Sequence, residues 1–534
     1  MTAETVTVRQ QPGIGVRRGS APGQSEETPA PGRSLWGHVL RRCVLMPLIV
    51  LVPLAAVAPR GDHRFNIYWH GGMFRDDPLR IVSHTIATGE TYLRLGNFRP
   101  LGRMVEKALD LLAFLGMQQL HLPAGIALRL VTIGAAILLT FTVVLFAESV
   151  LTRGRLFGTP PSVVALLLPY AVGAGLIAAG RNSTTTLFGG LYLTTAALVL
   201  LVAVAACRLE RLRWWHAVLG LSAGGALAVF NEPAYFAVPL ATVTVLVRAR
   251  FVLGQSPRQM LRAPGVRLTG LLWAGFLPVF AAVRWIIQGY CADGSCYHGS
   301  DLAVGDRGLL VLPARMLAWL PPAQWRAATG EAPGAWLWGP LPLAAFLLMA
   351  VLVVRTMKKV PASTRPTTRP LAGLALAALA LLVFGALPAA LSVEVNTNLA
   401  GVGLWTEGWR DSATTAPAGM LLAVTLFLLV TRARRRAAGL ALAALVLCAA
   451  GSVAANRNYA DQSAGWSTSQ LDNRIALAMA SFERGEAGDA RRCALLAEAL
   501  RNNDSRPFQQ QRYTDSLDMA ARTIAGVPFC RVIT

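Results

Sequence analysis

Residues 122–150 read LPAGIALRLVTIGAAILLTFTVVLFAESV, a long run whose only charged residues are Arg129 and Glu148. A hydrocarbon core needs roughly 20 apolar residues in a helix, and a helix satisfies its own backbone hydrogen bonds in lipid. Ten further runs of this kind lie at about 43–59, 160–180, 185–206, 214–230, 234–247, 268–288, 336–354, 370–391, 416–431 and 437–454. The sequence therefore predicts an all-α polytopic membrane helix bundle of about eleven spans. Of the 534 residues, 54% are hydrophobic and 15% charged, against about a quarter charged in an ordinary soluble domain. That balance excludes a soluble enzyme, a disordered tail protein and a collagen-like chain.

The net charge of +22 would also suit a nucleic-acid binder, but its distribution argues otherwise. Arg153/Arg155, Arg208/Arg211/Arg213, the stretches Arg248–Arg267 and Arg355–Arg369, Arg432/Arg434/Arg435/Arg436 and the first 42 residues hold 25 Lys/Arg and four acids. The rest of the chain is nearly balanced, with 25 Lys/Arg and 24 acids. Basic connections alternate with the others, so the positive-inside rule places the basic set in the cytoplasm, the N-terminus inside and the C-terminus outside. The charge reads as an orientation signal facing anionic headgroups. No helix-turn-helix or RNA-binding motif is present, and there is no P-loop, dinucleotide fingerprint or zinc-protease motif.

Residues 1–42 are rich in Pro, Gly, Ser, Thr and Arg, which predicts a disordered cytoplasmic tail. The tail exceeds the usual n-region of a cleaved signal, so the first span is expected to be a retained signal-anchor. The bundle occupies 43–454, with long outer loops at 60–121 and 289–335. The segment 455–534 shows helical patterns near 468–484, 487–502 and 513–525 and is expected to form a small helical cap. Cys43, Cys207 and Cys448 fall in or beside spans. Cys291, Cys296, Cys493 and Cys530 fall outside, where two pairs suggest disulfides; a zinc site is the alternative.

The outer turns carry the polar groups that have a chemical use. They include Asp76, Asp77, Glu90, Arg99 and Arg103, then Arg181-Asn182-Ser183-Thr184, Asn231-Glu232-Pro233, and Glu394, Glu407, Arg410 and Asp411. After Asn97-Phe98-Arg99-Pro100, residues 101–115 alternate an apolar face (Leu101, Met104, Val105, Ala108, Leu109, Leu112) with a charged one (Arg103, Glu106, Lys107, Asp110). Such a helix suits the headgroup plane.

An acidic pair after the first span, followed by Arg99-Pro100 opening an amphipathic stretch, resembles the multi-span GT-C-type glycosyltransferases. The bacterial branch that includes phage-type glucosyltransferases acting on O-antigen is the nearest in pattern. The turn Asn231-Glu232-Pro233-Ala234-Tyr235 is similar to a Tyr-Glu-type outer turn of that branch, with the aromatic displaced. The motifs cover 60–115 and 229–236, and the layout covers about 43–460. The resemblance implies an integral plasma-membrane enzyme of a bacterium. It would move a sugar from a polyprenyl-phosphate donor to a cell-envelope glycan or lipid acceptor, with inversion, at the outer face.

Elementary chemistry gives the residues roles within that expectation. Inverting transfer needs a carboxylate to take the acceptor hydroxyl proton and cations to hold the phosphate that leaves. Asp76 or Asp77 is the expected base, and the two together could share a divalent metal. Arg99 is the expected phosphate clamp, since its fork grips two oxygens, with Arg103 and Arg181 behind it. Glu232 and Glu394 are further outer-face candidates, and Trp405 and Trp409 could stack on a sugar. His63, His70 and His84, with Asp62 and Asp76, form a second possible metal cluster. The plainer readings are an N-cap turn for Asp76-Asp77-Pro78, a headgroup contact for Arg99, and a turn cap for Glu232. Two other functions stay open: a transporter or lipid flippase, which would carry midplane charges, and a scaffold binding a partner through its cap.

Overall fold

The computed structural model describes residues 31–292, 296, 306–330, 340–357, 366–400, 403–432, 434–503 and 507–531. Among these the protein is an all-α bundle without strands. Helix α1 (Pro31–Leu51) starts at Pro31 rather than near residue 43. Trp36, Val39, Cys43, Met46 and Val50 recur at helical spacing on its buried face, and the Trp36 indole donates to the Thr159 carbonyl at 2.8 Å. The last part of the expected tail is therefore helix, and residues 1–30 lie outside the described residues.

Four helices follow before the second span: α2 (His63–Phe74), α3 (Arg80–Ala87), α4 (Gly89–Arg94) and α5 (Pro100–Leu120). The quoted run becomes α6 (Ala124–Leu151), which touches α1, α5, α7 (Val163–Ala174) and α8 (Gly189–Arg208). Next come α9 (Trp214–Ala228), α10 (Ala237–Val247), α11 (Pro257–Arg262) and α12 (Pro264–Tyr290). Helix α9 lies along α12, where a Cβ on Gly224 or Gly275 would meet the Leu272 or Leu221 carbonyl. Small residues allow such close backbone approach between helices. The chain continues with α13 (Asp306–Leu317), α14 (Pro321–Thr329), α15 (Pro340–Met357), α16 (Thr368–Ala390), α17 (Ser412–Val430) and α18 (Arg435–Ala464).

Eight described helices are long and apolar enough to cross a membrane, which makes this an integral membrane protein. The expected runs 160–180 and 214–230 form shorter helices, α7 and α9, and 336–354 coincides largely with α15. Helix α7 stops because residues 175–188 leave helical geometry. Buried side chains satisfy that irregular backbone. Asn456 of α18 accepts from the Ala178 N–H and donates to the Leu176 carbonyl, and Arg129 of α6 donates to the Thr185 and Thr186 carbonyls. Glu148 accepts from the Ser162 N–H at 3.0 Å. These are the partners of the two charges in the quoted run.

The basic connections gather at one end of the bundle: Arg208 donates to the Gly154 and Glu148 carbonyls, Arg248 to Cys207 and Thr152, and Arg369 to Arg250. The opposite end carries α2–α5 and a cap of α19 (Ser467–Ala480), α20 (Glu486–Asn503) and α21 (Pro507–Ala525). The cap shares a core with α2, α5 and α6, in which Ile67, Tyr68, Phe114 and Leu128 pack with Ile475, Leu496 and Leu517. Cys291–Cys296 and Cys493–Cys530 are disulfides.

Candidate functional site

Arg99 is the N-cap of α5, with Pro100 fixing the first turn. The free N–H groups of that turn find partners outside the helix: Leu101 donates to the Val229 carbonyl and Gly102 to that of Phe230 at 3.0 Å. Residue 102 must be glycine for this, because a Cβ would collide with the Phe230 carbonyl. The contact draws Arg99 to the next turn, where Nη1 lies 3.3 Å from Glu232 Oε2. That turn is set by Asn231, which accepts from the Ala234 N–H and donates to Thr195 at 2.8 Å. Burial opposes the Arg99 charge, but Glu232 and Tyr192 outweigh it and hold the guanidinium pKa above its usual value.

The charged face of α5 continues inward. Arg103 stacks over the Tyr92 ring at 4.0 Å and lies 3.6 Å from Glu106. Glu106 accepts from Asn66 at 3.0 Å, and the Lys107 ammonium meets His84 Nδ1 at 3.0 Å and the Thr85 hydroxyl at 2.9 Å. Asp110 sits 2.7 Å from His70 Nδ1. Glu106, Lys107 and Asp110 are buried, while Leu112 of the apolar face is 57% exposed. The helix is amphipathic as expected, and its charges face the protein.

Burial explains the proton states beneath this face. It pushes the Lys107 ammonium down to about 8, helped by Arg103 and opposed by Glu106. It lowers His63 to about 3 and His70 to about 4, with Arg129 and nearby cations contributing. It holds the Asp110 carboxyl well above the usual range, aided by Asp62. Burial thus works against the charged form of both partners in the His70–Asp110 contact.

Above these groups opens a cavity of about 1020 Å³. Arg99, Arg103, Lys107, Arg410 and Arg512 bring cations to its wall, and Asp62, Glu106, Glu394 and Asp515 bring acids. Beside it lies an apolar slot of about 270 Å³, lined by Val199, Leu240, Phe280, Leu381, Phe384 and Pro388. The slot is polar at one end, where Glu232, Arg284, Arg410 and Asp411 sit. Trp409 and Arg410 line both spaces.

The structure brings Arg99, Arg103 and Glu394 to the cavity and Glu232 to the slot, joined to Arg99. It does not bring the acid pair. Asp76 and Asp77 lie in the turn between α2 and α3, the Asp76 side chain is 85% exposed, and neither lines the cavity. Arg181 does not line it either. Its guanidinium lies over Trp466 at 4.9 Å, its N–H donates to Glu407, and its neighbours Asn182 and Thr184 reach the wall instead. Trp409 lines the cavity, and Trp405 does not. Among the described residues no three His, Cys, Asp or Glu side chains are grouped to hold a metal ion; His63, His70 and His84 serve separate contacts.

Sequence reasoning gave no catalytic part to Asp62, Glu106 or Arg512. Asp62 sits at the start of α2, soon after the first span, and its carboxylate takes Arg512 at 3.3 Å. The helical spacing of 103, 106, 107 and 110 did mark the charged face, but not the side it serves. Arg512 comes from α21, far along the chain, and no motif announces it.

Comparison with family models, curated proteins and solved structures finds no match to this chain.

Proposed function

We propose that this protein is a membrane glycosyltransferase of the bacterial plasma membrane, taking a sugar from a polyprenyl-phosphate donor at the outer face. One observation carries the proposal: a polar, charge-lined cavity and an apolar slot share the Trp409–Arg410 wall. The apolar slot suits the first units of a polyprenyl tail, the polar cavity suits a sugar, and the phosphate between them would fall at the seam beside Arg410 and Arg99. Cations preorganised there offset the negative charge that builds on the leaving phosphate.

In the proposed step a cavity carboxylate accepts the acceptor hydroxyl proton. The hydroxyl oxygen bonds to the anomeric carbon as the bond from that carbon to the phosphate oxygen breaks, and polyprenyl phosphate leaves with the electron pair. Asp62 is the favoured base, because it lines the cavity and half of its side chain is exposed. Glu106 is buried and engaged by Asn66 and Arg103. Asp76 and Asp77, away from the cavity wall, have no part in the proposal.

The test is transfer or hydrolysis of a radiolabelled polyprenyl-phosphate hexose by the purified protein in nanodiscs. Asp62→Asn and Arg99→Ala should each lower turnover by about 100- to 1,000-fold, whereas Asp76→Asn should stay near wild type. Undiminished turnover in both cavity variants, or no turnover of any such donor by the wild type, would overturn the assignment.

A further inference from the structure

The cavity has a second wall, of different chemistry. Helix α21 of the cap lies along α2, with the Arg75 guanidinium donating to the Thr523 carbonyl at 2.7 Å and the Thr523 hydroxyl to that of Gly72 at 3.0 Å. This presents Phe508, Gln509, Gln511 and Arg512 to the cavity, across from the cations of α5.

The charge on this wall is already committed. Arg512 reaches Asp62 at 3.3 Å and Asn66 at 3.0 Å and covers the Phe65 ring. What remains is the Asp515 carboxylate, which would repel an anion, together with amides and rings. Gln509 lines the cavity with its Oε1 buried and without a hydrogen-bond partner, so turning the amide toward the cavity would give that acceptor a ligand hydroxyl. Of the cavity's other rings, Tyr92 is covered by Arg103 and Trp409 by Arg410, and Tyr192 bonds Arg99. Trp69 and Phe508 also line it, and Phe508 is 72% exposed.

We infer that Trp69, Phe508, Gln509 and Gln511 form an acceptor subsite for an uncharged glycan. Aromatic faces pack on the C–H surface of a sugar ring, and amides both donate to and accept from hydroxyls. An anionic acceptor would gain little here, since the nearest cation is paired. A lipid acceptor would be drawn instead to the apolar slot beside Glu232. The inference rests on the proposed glycosyl transfer and names its acceptor class. It also gives the cap a part in the site.

Saturation-transfer NMR on the full chain in nanodiscs tests this. The probes are neutral trisaccharides of glucose, mannose, galactose and arabinose, with trigalacturonate as the acidic comparison. At least one neutral trisaccharide should receive saturation, trigalacturonate several-fold less. Phe508→Ala and Gln509→Ala should each cut the signal at least five-fold, and Phe508→Trp should keep it. Binding of a short-chain polyprenyl phosphate, measured in parallel, should be unchanged in all three variants and lost in Arg99→Ala. No neutral signal, a stronger acidic one, or a neutral signal indifferent to Phe508→Ala and Gln509→Ala would overturn the subsite. Loss of polyprenyl phosphate binding by the wild type would instead strike the donor assignment and leave the sugar-binding result standing.

Discussion

Arg315 and Asp411 form a two-pronged ion pair at 2.7 and 3.0 Å, with Arg315 only 1% exposed. The remaining nitrogen of Arg315 donates to the Trp405 and Glu407 carbonyls. One guanidinium from α13 thus shapes the turn that ends in Trp409 and Arg410, the wall between cavity and slot. Arg315→Ala should cost about 3–5 kcal/mol, because it leaves Asp411 buried without its partner. Arg315→Lys should recover part of that, since an ammonium cannot make the planar double contact. Thermal unfolding in detergent measures both, and an Arg315→Ala midpoint equal to wild type would refute the clamp.

Gly102 offers a geometric test. Gly102→Ala should push the start of α5 off the Phe230 carbonyl and separate Arg99 from Glu232. A displacement near 1 Å can cost about 100-fold in rate, so turnover per folded molecule should fall steeply. Gly116 on the same helix has open space where a Cβ would sit. Gly116→Ala is thus a matched control and should keep full turnover. Equal turnover in the two variants would show that the contact does not position Arg99.

The buried histidines set a pH dependence with a definite sign. His63 and His70 are held at about 3 and 4, below their unfolded value of 6.5. As pH falls from 6.5 the unfolded chain gains protons that the folded one refuses, so these groups remove stability on acidification down to those values. Asp110, raised instead, binds its proton more readily when folded and adds stability as pH falls through its window. His63→Asn and His70→Asn should each flatten the loss between pH 6.5 and 4, and Asp110→Asn should steepen it. Lys107, lowered to about 8, should add stability as pH rises from 8 toward 10.5. Unfolding midpoints against pH decide each sign.

The Cys493–Cys530 disulfide closes a 37-residue separation within the cap. Cys530→Ser should destabilise the cap by about 2–4 kcal/mol and expose it to limited proteolysis, while the spans stay protected. Cleavage that is equally slow in variant and wild type would mean the cap is held by its apolar core alone.

The bundle was legible because lipid imposes a length and a composition on every span, and both show in one dimension. The site was legible only in part. Arg99-Pro100 and Asn231-Glu232 stood out as local patterns, yet nothing local says they touch; the Gly102–Phe230 contact joins them. Asp76-Asp77 drew notice because two acids are adjacent, but a turn on the surface suits them equally, and Asp62, nearer the span, was weighed only as a metal ligand. The hydrophobic pattern of α5 revealed two faces and could not say which one meets lipid. The span near 160–180 looked continuous because its composition stays apolar past Ala174, although the backbone there is stitched by Asn456 and Arg129 from other helices.

The wall shared by cavity and slot has a consequence for how any amphiphile binds. A molecule with a tail in one space and a head in the other is held as two tethered modules, each raising the effective concentration of its partner. Either half alone would bind feebly, so free sugars and bare hydrocarbons compete poorly with the joined molecule. Cleaving the link at the seam dissolves the tether, and both fragments then hold on only with their separate weak affinities. The proposed transfer at this seam would loosen its own products.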